Sequence, residues 1–179
     1  MRATFKRPCF NDRMNITNLQ IRRVDYQLPR DSAALTSLLN GYAQDPMGGG
    51  EALQPAVLQT LCDALATRPY AFSFIAWNAD EALGLVNCFE SFSTFKAQPL
   101  VNIHDLVVRA DARGRGVGQA LLQAVQVEAT KRGACKITLE VLTGNTVAIK
   151  SYERFGFASY QLDPAAGHAV LMQKWLAVQ

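Results

Sequence analysis

Apolar and polar positions along this chain follow two different periods, and the switches between them mark out the elements. Residues 16–24 read as an entering strand. Behind Pro29-Arg30-Asp31, where Asp31 offers an N-cap, Ala34, Leu35, Leu38 and Leu39 recur at helical spacing. Asp45-Pro46-Met47-Gly48-Gly49-Gly50 then stops the helix, since proline lacks the backbone donor and glycines lose the most backbone entropy, and a mobile loop is expected there. A second helix over 55–67 opens on Pro55 and buries Val57, Leu58, Leu61 and Leu65. From Tyr70 the period shortens. Residues 70–77 and 82–93, joined by Asn78-Ala79-Asp80, predict an antiparallel hairpin, and 100–108 a third strand of that run.

The pattern over 116–132 is helical again, with Val117, Ala120, Leu121, Ala124 and Val125 on one side, Lys131 and Arg132 at the negative end and Gly133 as the stop. Residues 135–142 alternate, with Cys135, Ile137, Leu139 and Val141 on one face, and predict a strand. Residues 146–155, closed by Gly156, form a short helix, and 157–162 and 169–175 read as two terminal strands. This order is that of an α/β protein whose single-domain mixed sheet of about seven strands is flanked by four helices over 16–179. Residues 1–15 are expected to be a flexible N-terminal extension.

Composition narrows the function classes. A chain of 179 residues, 49% hydrophobic, can bury one substantial core. Its 18% charged content lies below the roughly 25% of an average domain, which leaves room for a homodimer. No apolar stretch approaches the ~20 residues that span a bilayer, so no membrane association is expected. The net charge of +3 is concentrated in the first 23 residues, where six basic side chains face Asp12 alone. With no basic stripe on the folded part, nucleic acid is not an expected partner. Cys9, Cys62, Cys88 and Cys135 are scattered, and His104 and His168 add no ligand spacing, so no metal is expected and the thiols fit a reducing cytoplasm.

The chemistry concentrates in Ile103-His104-Asp105-Leu106-Val107-Val108 followed, after a short loop, by Arg113-Gly114-Arg115-Gly116-Val117-Gly118-Gln119-Ala120. Alternate glycines let the backbone approach a ligand and turn its amides inward, while the positive end of the following helix favours an anion. Arg113 and Arg115 add charge. The segment is a phosphate or diphosphate cradle, against the plainer option of a glycine-rich turn. Gly-x-x-x-x-Gly-Lys-Ser/Thr is absent, and neither Gly114 nor Gly116 begins Gly-x-Gly-x-x-Gly. A dinucleotide fold stays in view only through Glu140, some twenty residues on.

Arg113-x-x-Gly116-x-Gly118 after a Leu-x-Val strand resembles the acyl-CoA signature of the GNAT superfamily of N-acetyltransferases. Asn145, then Ala148-Ile149-Lys150-Ser151-Tyr152-Glu153-Arg154-Phe155-Gly156-Phe157, is similar to that family's second cofactor-contacting helix. The resemblance implies the GNAT fold and acetyl-CoA bound where strand 103–108 splays from strand 135–142. It implies that backbone groups of Leu106 and Val108 pair with the pantetheine arm. The amides of Gly114, Arg115, Gly116, Val117, Gly118 and Gln119 would hold the diphosphate, with Arg113 beside them, and Asn145 the arm from the other side. Leu106 or Val107 would supply the oxyanion donor.

Acetyl transfer to an amine needs a neutral nucleophile, oxyanion stabilisation and a proton for the departing thiolate. Tyr152 stands at the family's proton-donor position, although periodicity alone makes it a core tyrosine. For the base, His104 offers an imidazole, the side chain suited to proton transfer near neutral pH, and stands where polyamine-type members carry a glutamate before an aspartate, here Asp105. Glu90 is its rival, and a water chain needs neither. The acceptor, a small-molecule primary amine, would lie over loop 44–51 and Glu90, Asn102 and His104. The alternative function is a non-catalytic acyl-CoA-binding sensor on the same fold.

Overall fold

The computed structural model describes residue 16, residues 18–160, residue 165 and residues 169–176 of the chain. The expected extension 1–15, Cys9 and His168 lie outside them. The elements run β1 (Leu19–Arg23), α1 (Pro29–Ala43), α2 (Pro55–Ala66), β2 (Ala71–Asn78), β3 (Glu81–Ser93), β4 (Gln98–Val108), α3 (Val117–Lys131), β5 (Ile137–Leu139) and α4 (Thr146–Phe155). One sheet of order β1-β2-β3-β4-β5 is antiparallel through β4 and parallel between β4 and β5.

The expected mixed α/β sheet with four helices is present, but the described residues hold five strands rather than about seven. Residues 157–160 and 169–176, the places of the two terminal strands, make no ladder. In 169–176 the side chains of Val170, Leu171, Met172 and Trp175 stand in solvent, so their alternation is matched by no partner strand. The fifth strand shrinks from 135–142 to Ile137–Leu139.

Helix ends follow local chemistry. Pro29 and Pro55 open α1 and α2, where their missing N–H is not needed. Asp31 is not the N-cap of α1. Leu28 takes that position, and the buried Asp31 carboxylate instead accepts the Asp25 N–H at 3.0 Å, tying down the β1–α1 connection. Loop 44–51 is a set of hydrogen-bonded turns, closed by Gly48 N–H to Asp45 and Glu51 N–H to Ala43. A Cβ on Gly48 would fall 2.0 Å from the Tyr42 carbonyl, so the turn excludes any other residue.

Two apolar clusters sandwich the sheet. On the front face Leu35, Leu38, Cys62 and Leu65 of α1 and α2 pack against Ala71, Ile75, Trp77, Leu85 and Val107. On the back face Val117, Leu121, Leu122 and Val125 of α3 pack against Phe72, Val86, Cys88, Val101 and Ile103. Gly84 sets their closeness, because a Cβ there would lie 2.8 Å from the Val107 carbonyl and 3.1 Å from Leu121 and Val117. The expectation of packed thiols holds for Cys62 and Cys88, whose burial pushes both thiols up, away from reactivity. Cys135 is exposed.

Candidate active site

Where β4 leaves β5 the sheet opens. Their pairing runs Val101↔Ile137, Asn102↔Thr138, Ile103↔Leu139, and then ends while β4 continues to Val108. At the same point β4 carries a bulge: Cys88 faces Ile103 and Asn87 faces Asp105, so His104 is an extra residue. The bulge reverses the parity of the strand. Before it, the Val101 N–H donates to Lys136 on the β5 side; after it, the Arg109 N–H donates to Leu83 on the β3 side. Backbone groups alternate along a strand, so Leu106 and Val108 turn theirs toward the opening and Val107 turns its own toward β3. The Val108 carbonyl accordingly accepts from Arg113 Nε at 3.0 Å. Of the two oxyanion candidates, Leu106 directs its N–H outward and Val107 directs its own toward β3.

Beside this edge stands the start of α3. Gly114 and Gly116 adopt φ of +74° and +83°, a region glycine enters freely, and a Cβ on either would meet open space. Gly118 is different: it lies in the first helical turn, at ordinary contact distance from Val108 and Leu106. The first helical hydrogen bond runs from Ala120 N–H to Gly116, so the amides of Val117, Gly118 and Gln119 precede the helix's own ladder and lie at its positive end. Arg113 is not spare charge. Its guanidinium bonds Asp45 of loop 44–51 at 3.0 Å; the Met47 N–H on the other carboxylate oxygen, and after it this bond from Arg113, hold the Asp45 carboxyl below the usual range. Arg115 is half-buried, close enough to Asp111 to lower its carboxyl slightly, behind the stronger bond from Arg109.

α4 closes the opening from the back. Asn145 is its N-cap, its side-chain oxygen accepting the Ala148 N–H at 3.2 Å, which leaves the amide hydrogens for other work. The Gln119 side chain donates to the Ser151 carbonyl and hydroxyl at 2.9 and 3.0 Å, fastening α4 to α3. Tyr152 packs against the back-face cluster, edge-on to Phe157 at 5.9 Å. Burial pushes its phenol above the ordinary value, and a smaller rise comes from Tyr42 of α1.

On the front, the bulge gives two successive side chains, His104 and Asp105, to one face. His104 is exposed and meets Phe89 edge-on at 5.5 Å. Asp105 accepts from Asn87 at 2.9 Å. Asn102 donates to Thr138 and to the Glu140 carboxylate at 3.2 and 3.3 Å. Tyr42 is pushed up first by burial, then by Asp105 and Asp45. Glu90 does not join them. It pairs in register with Val101 of the back-face cluster, and its carboxylate bonds Arg132 of α3 at 2.8 Å. Alternation over 82–93 could not tell which face Glu90 takes. Tyr42 is the group here that the sequence reading did not name; Asp105 entered it only as the aspartate after the base candidate, and Glu140 only through the dinucleotide option.

The model of the "Acetyltransferase (GNAT) family" matches residues 35–157, most of the chain and all of this site. The chain belongs to the GNAT acetyltransferase family. Four strands paired antiparallel before the glycine turn also dispose of the dinucleotide option, which needs that turn after a first parallel strand. Streptothricin acetyltransferase of Streptomyces lavendulae is 36% identical over 93 residues, 52% of this chain and 48% of that protein. L-ornithine N5-acetyltransferase of Arabidopsis thaliana is 32% identical over 90 residues, 49% of this chain and 40% of that protein. The chain thus spans about half the length, or less, of these two curated relatives. Among solved structures, an aminoglycoside N-acetyltransferase in complex with CoA superposes with a TM-score of 0.69 at 18% identity, covering 88% of this GNAT chain and 95% of that one. Likeness at that identity is one of fold. Among the described residues, no group of three metal-ligating side chains converges and no helix is long and apolar enough to cross a membrane.

Proposed function

We propose that this GNAT protein transfers an acetyl group from acetyl-CoA to a primary amine of a small molecule by direct attack on the thioester, in the cytoplasm. Acetyl-CoA supplies the activated acyl group. The observation that carries the proposal is the opening itself: pairing between β4 and β5 stops at Ile103 and Leu139, and the outward edge at Leu106 and Val108 runs toward the unladdered amides of α3. An extended amide-bearing arm adds to such an edge as a strand would, and a diphosphate suits a helix start with two positive-φ glycines.

In this reading Leu106, Val108 and Asn145 hold the arm. The amides from Gly114 to Gln119 hold the diphosphate, Arg113 buttresses their loop through Asp45 and Val108, and Arg115 adds charge. The Leu106 N–H is the oxyanion donor. Tyr152, kept protonated by its burial, gives the proton that the thiolate takes. His104 receives the proton of the attacking amine, at the front mouth of the opening beside Asn102. Glu90, bound into its ion pair on the back face, is left out of both roles. Nothing in the geometry favours a non-catalytic sensor.

Isothermal titration with acetyl-CoA, followed by thiol release over a panel of primary amines, tests the assignment. One acetyl-CoA bound per chain and amine-dependent release of free CoA are expected. A chain that does not bind acetyl-CoA, or binds it and releases thiol with no amine, is not the enzyme described.

A further inference from the structure

The front-face layer of the sheet beneath α1 and α2 is apolar except for one line. Ser73, Asn87 and Asp105 are register partners on β2, β3 and β4, so their side chains lie in a row across the sheet. Ser73 is 1% and Asn87 4% exposed, in the middle of a layer otherwise made of Ala71, Ile75, Leu85 and Val107. They are joined end to end: Tyr26 hydroxyl to Ser73 at 2.8 Å, Ser73 to Asn87 Oδ1 at 2.6 Å, and Asn87 Nδ2 to Asp105 at 2.9 Å. Buried polar side chains at such positions are not needed for a core, where apolar groups of the same shape serve as well or better.

The direction of the row follows from its chemistry. An ionised carboxylate only accepts, so Asn87 must present its NH2 to Asp105 and its oxygen to Ser73. Ser73 must then donate to that oxygen, and Tyr26 must donate to Ser73. Every hydrogen points toward Asp105. The row is not a proton wire, because the Asn87 amide does not pass a proton on; it is a fixture. It fixes the one carboxylate that the β4 bulge delivers to the mouth of the opening, beside His104 and within electrostatic range of Tyr42.

We propose that the row Tyr26–Ser73–Asn87 positions Asp105 as the receptor for a second, protonated amine of the acceptor, so that the enzyme selects diamines over monoamines. The inference rests on the acetyltransferase reading for the reaction and on the row for the selectivity. A carboxylate locked in one orientation takes an ammonium without first losing its own freedom, so the gain falls on binding rather than on the chemical step. Tyr26, Ser73 and Asn87 do not reach the opening and act through Asp105.

The test compares 1,4-diaminobutane with butylamine on the full chain, by thiol release with acetyl-CoA and by titration calorimetry with CoA present. The wild type is expected to bind the diamine about tenfold or more tightly than the monoamine, and Asp105→Asn to lose that binding. Ser73→Ala is expected to raise KM for the diamine roughly fivefold at unaltered kcat while leaving butylamine kinetics as they were. Tyr26→Phe, which removes one half-buried hydroxyl, should act in the same direction and keeps the comparison available if Ser73→Ala folds poorly. Equal binding of the two amines by the wild type, retention of the preference in Asp105→Asn, or a parallel change for both amines in Ser73→Ala and Tyr26→Phe would overturn the inference. If no amine releases thiol, the acetyltransferase reading falls by itself, and the calorimetric preference still decides the role of Asp105.

Discussion

Tyr152 joins two properties that usually compete. Its ring packs in the back-face cluster, and its phenol is still near enough to Tyr42 of α1 to be raised a little by it. Burial raises the phenol, so the neutral, donating form is the one present until pH climbs past the raised value; loss of the donor sets in only above the ordinary 10.0. Tyr152→Phe is therefore expected to cut kcat by about a hundredfold with acetyl-CoA affinity unmoved, read by thiol release and calorimetry. Two glycines separate space from conformation. Gly84→Ala drives a Cβ to 2.8 Å from the Val107 carbonyl, between sheet and helix, and should destabilise the fold by about 2 kcal/mol in urea melts. Gly118→Ala has 3.7 Å to its nearest neighbour and should melt like the wild type. Sequence alone marks Gly118 as part of a motif and Gly84 as nothing; the close approach that makes Gly84 indispensable comes from residues 23 and 37 positions away in the chain.

Among the elements, α3 and α4 were legible because their signals are local. Gly116 and Gly133 bound α3, Asn145 and Gly156 bound α4, and the helices start and stop there within a residue. The strand over 135–142 was misjudged for the opposite reason. Its alternation is real, but a strand lasts only as long as its partner stays alongside, and the extra residue at His104 carries β4 away after Leu139. Nothing in Ile103-His104-Asp105 announces a bulge. The same event decides that His104 and Asp105 share a face and that Leu106 rather than Val107 points its N–H outward, so the glycine turn and helix start over 114–119 were readable and the arrangement of the mouth was not. The row of Ser73, Asn87 and Asp105 was equally hidden, since register across three strands is not a property of any one of them. α4 has no fully buried residue and depends on its ties. Gln119→Leu removes two of them at Ser151 and is expected to cost about 1 kcal/mol, with faster amide hydrogen exchange confined to α4, measured by mass spectrometry.

At the scale of the molecule, one charged network fastens the back-face helix to β3 and β1 on the face it covers. Arg132 at the end of α3 bonds Glu90 of β3 and Glu128 of its own helix, each at 2.8 Å, and Glu128 also takes Arg23 of β1 at 2.8 Å. Both guanidiniums lie over the Phe72 ring, Arg132 at 4.4 Å and Arg23 at 5.7 Å, so the network caps the apolar cluster rather than floating above it. Glu128 is only 13% exposed at its side chain. Burial by itself pushes its carboxyl up, but the hydrogen bonds from Arg132 and Arg23 outweigh that and hold it below its ordinary 4.5. A depressed folded value means that the carboxylate stabilises the fold above the unfolded value, and that this contribution disappears as pH falls through the folded one. Glu128→Gln should thus lower stability by about 2 kcal/mol at neutral pH, and the melting temperatures of variant and wild type should converge as the solution is taken below pH 4.5. Glu90→Gln breaks the second arm of the same network and should lower the melting temperature without altering KM for any amine. A rise in that KM would return Glu90 to the acceptor site, which its ion pair on the opposite face of the sheet now denies it.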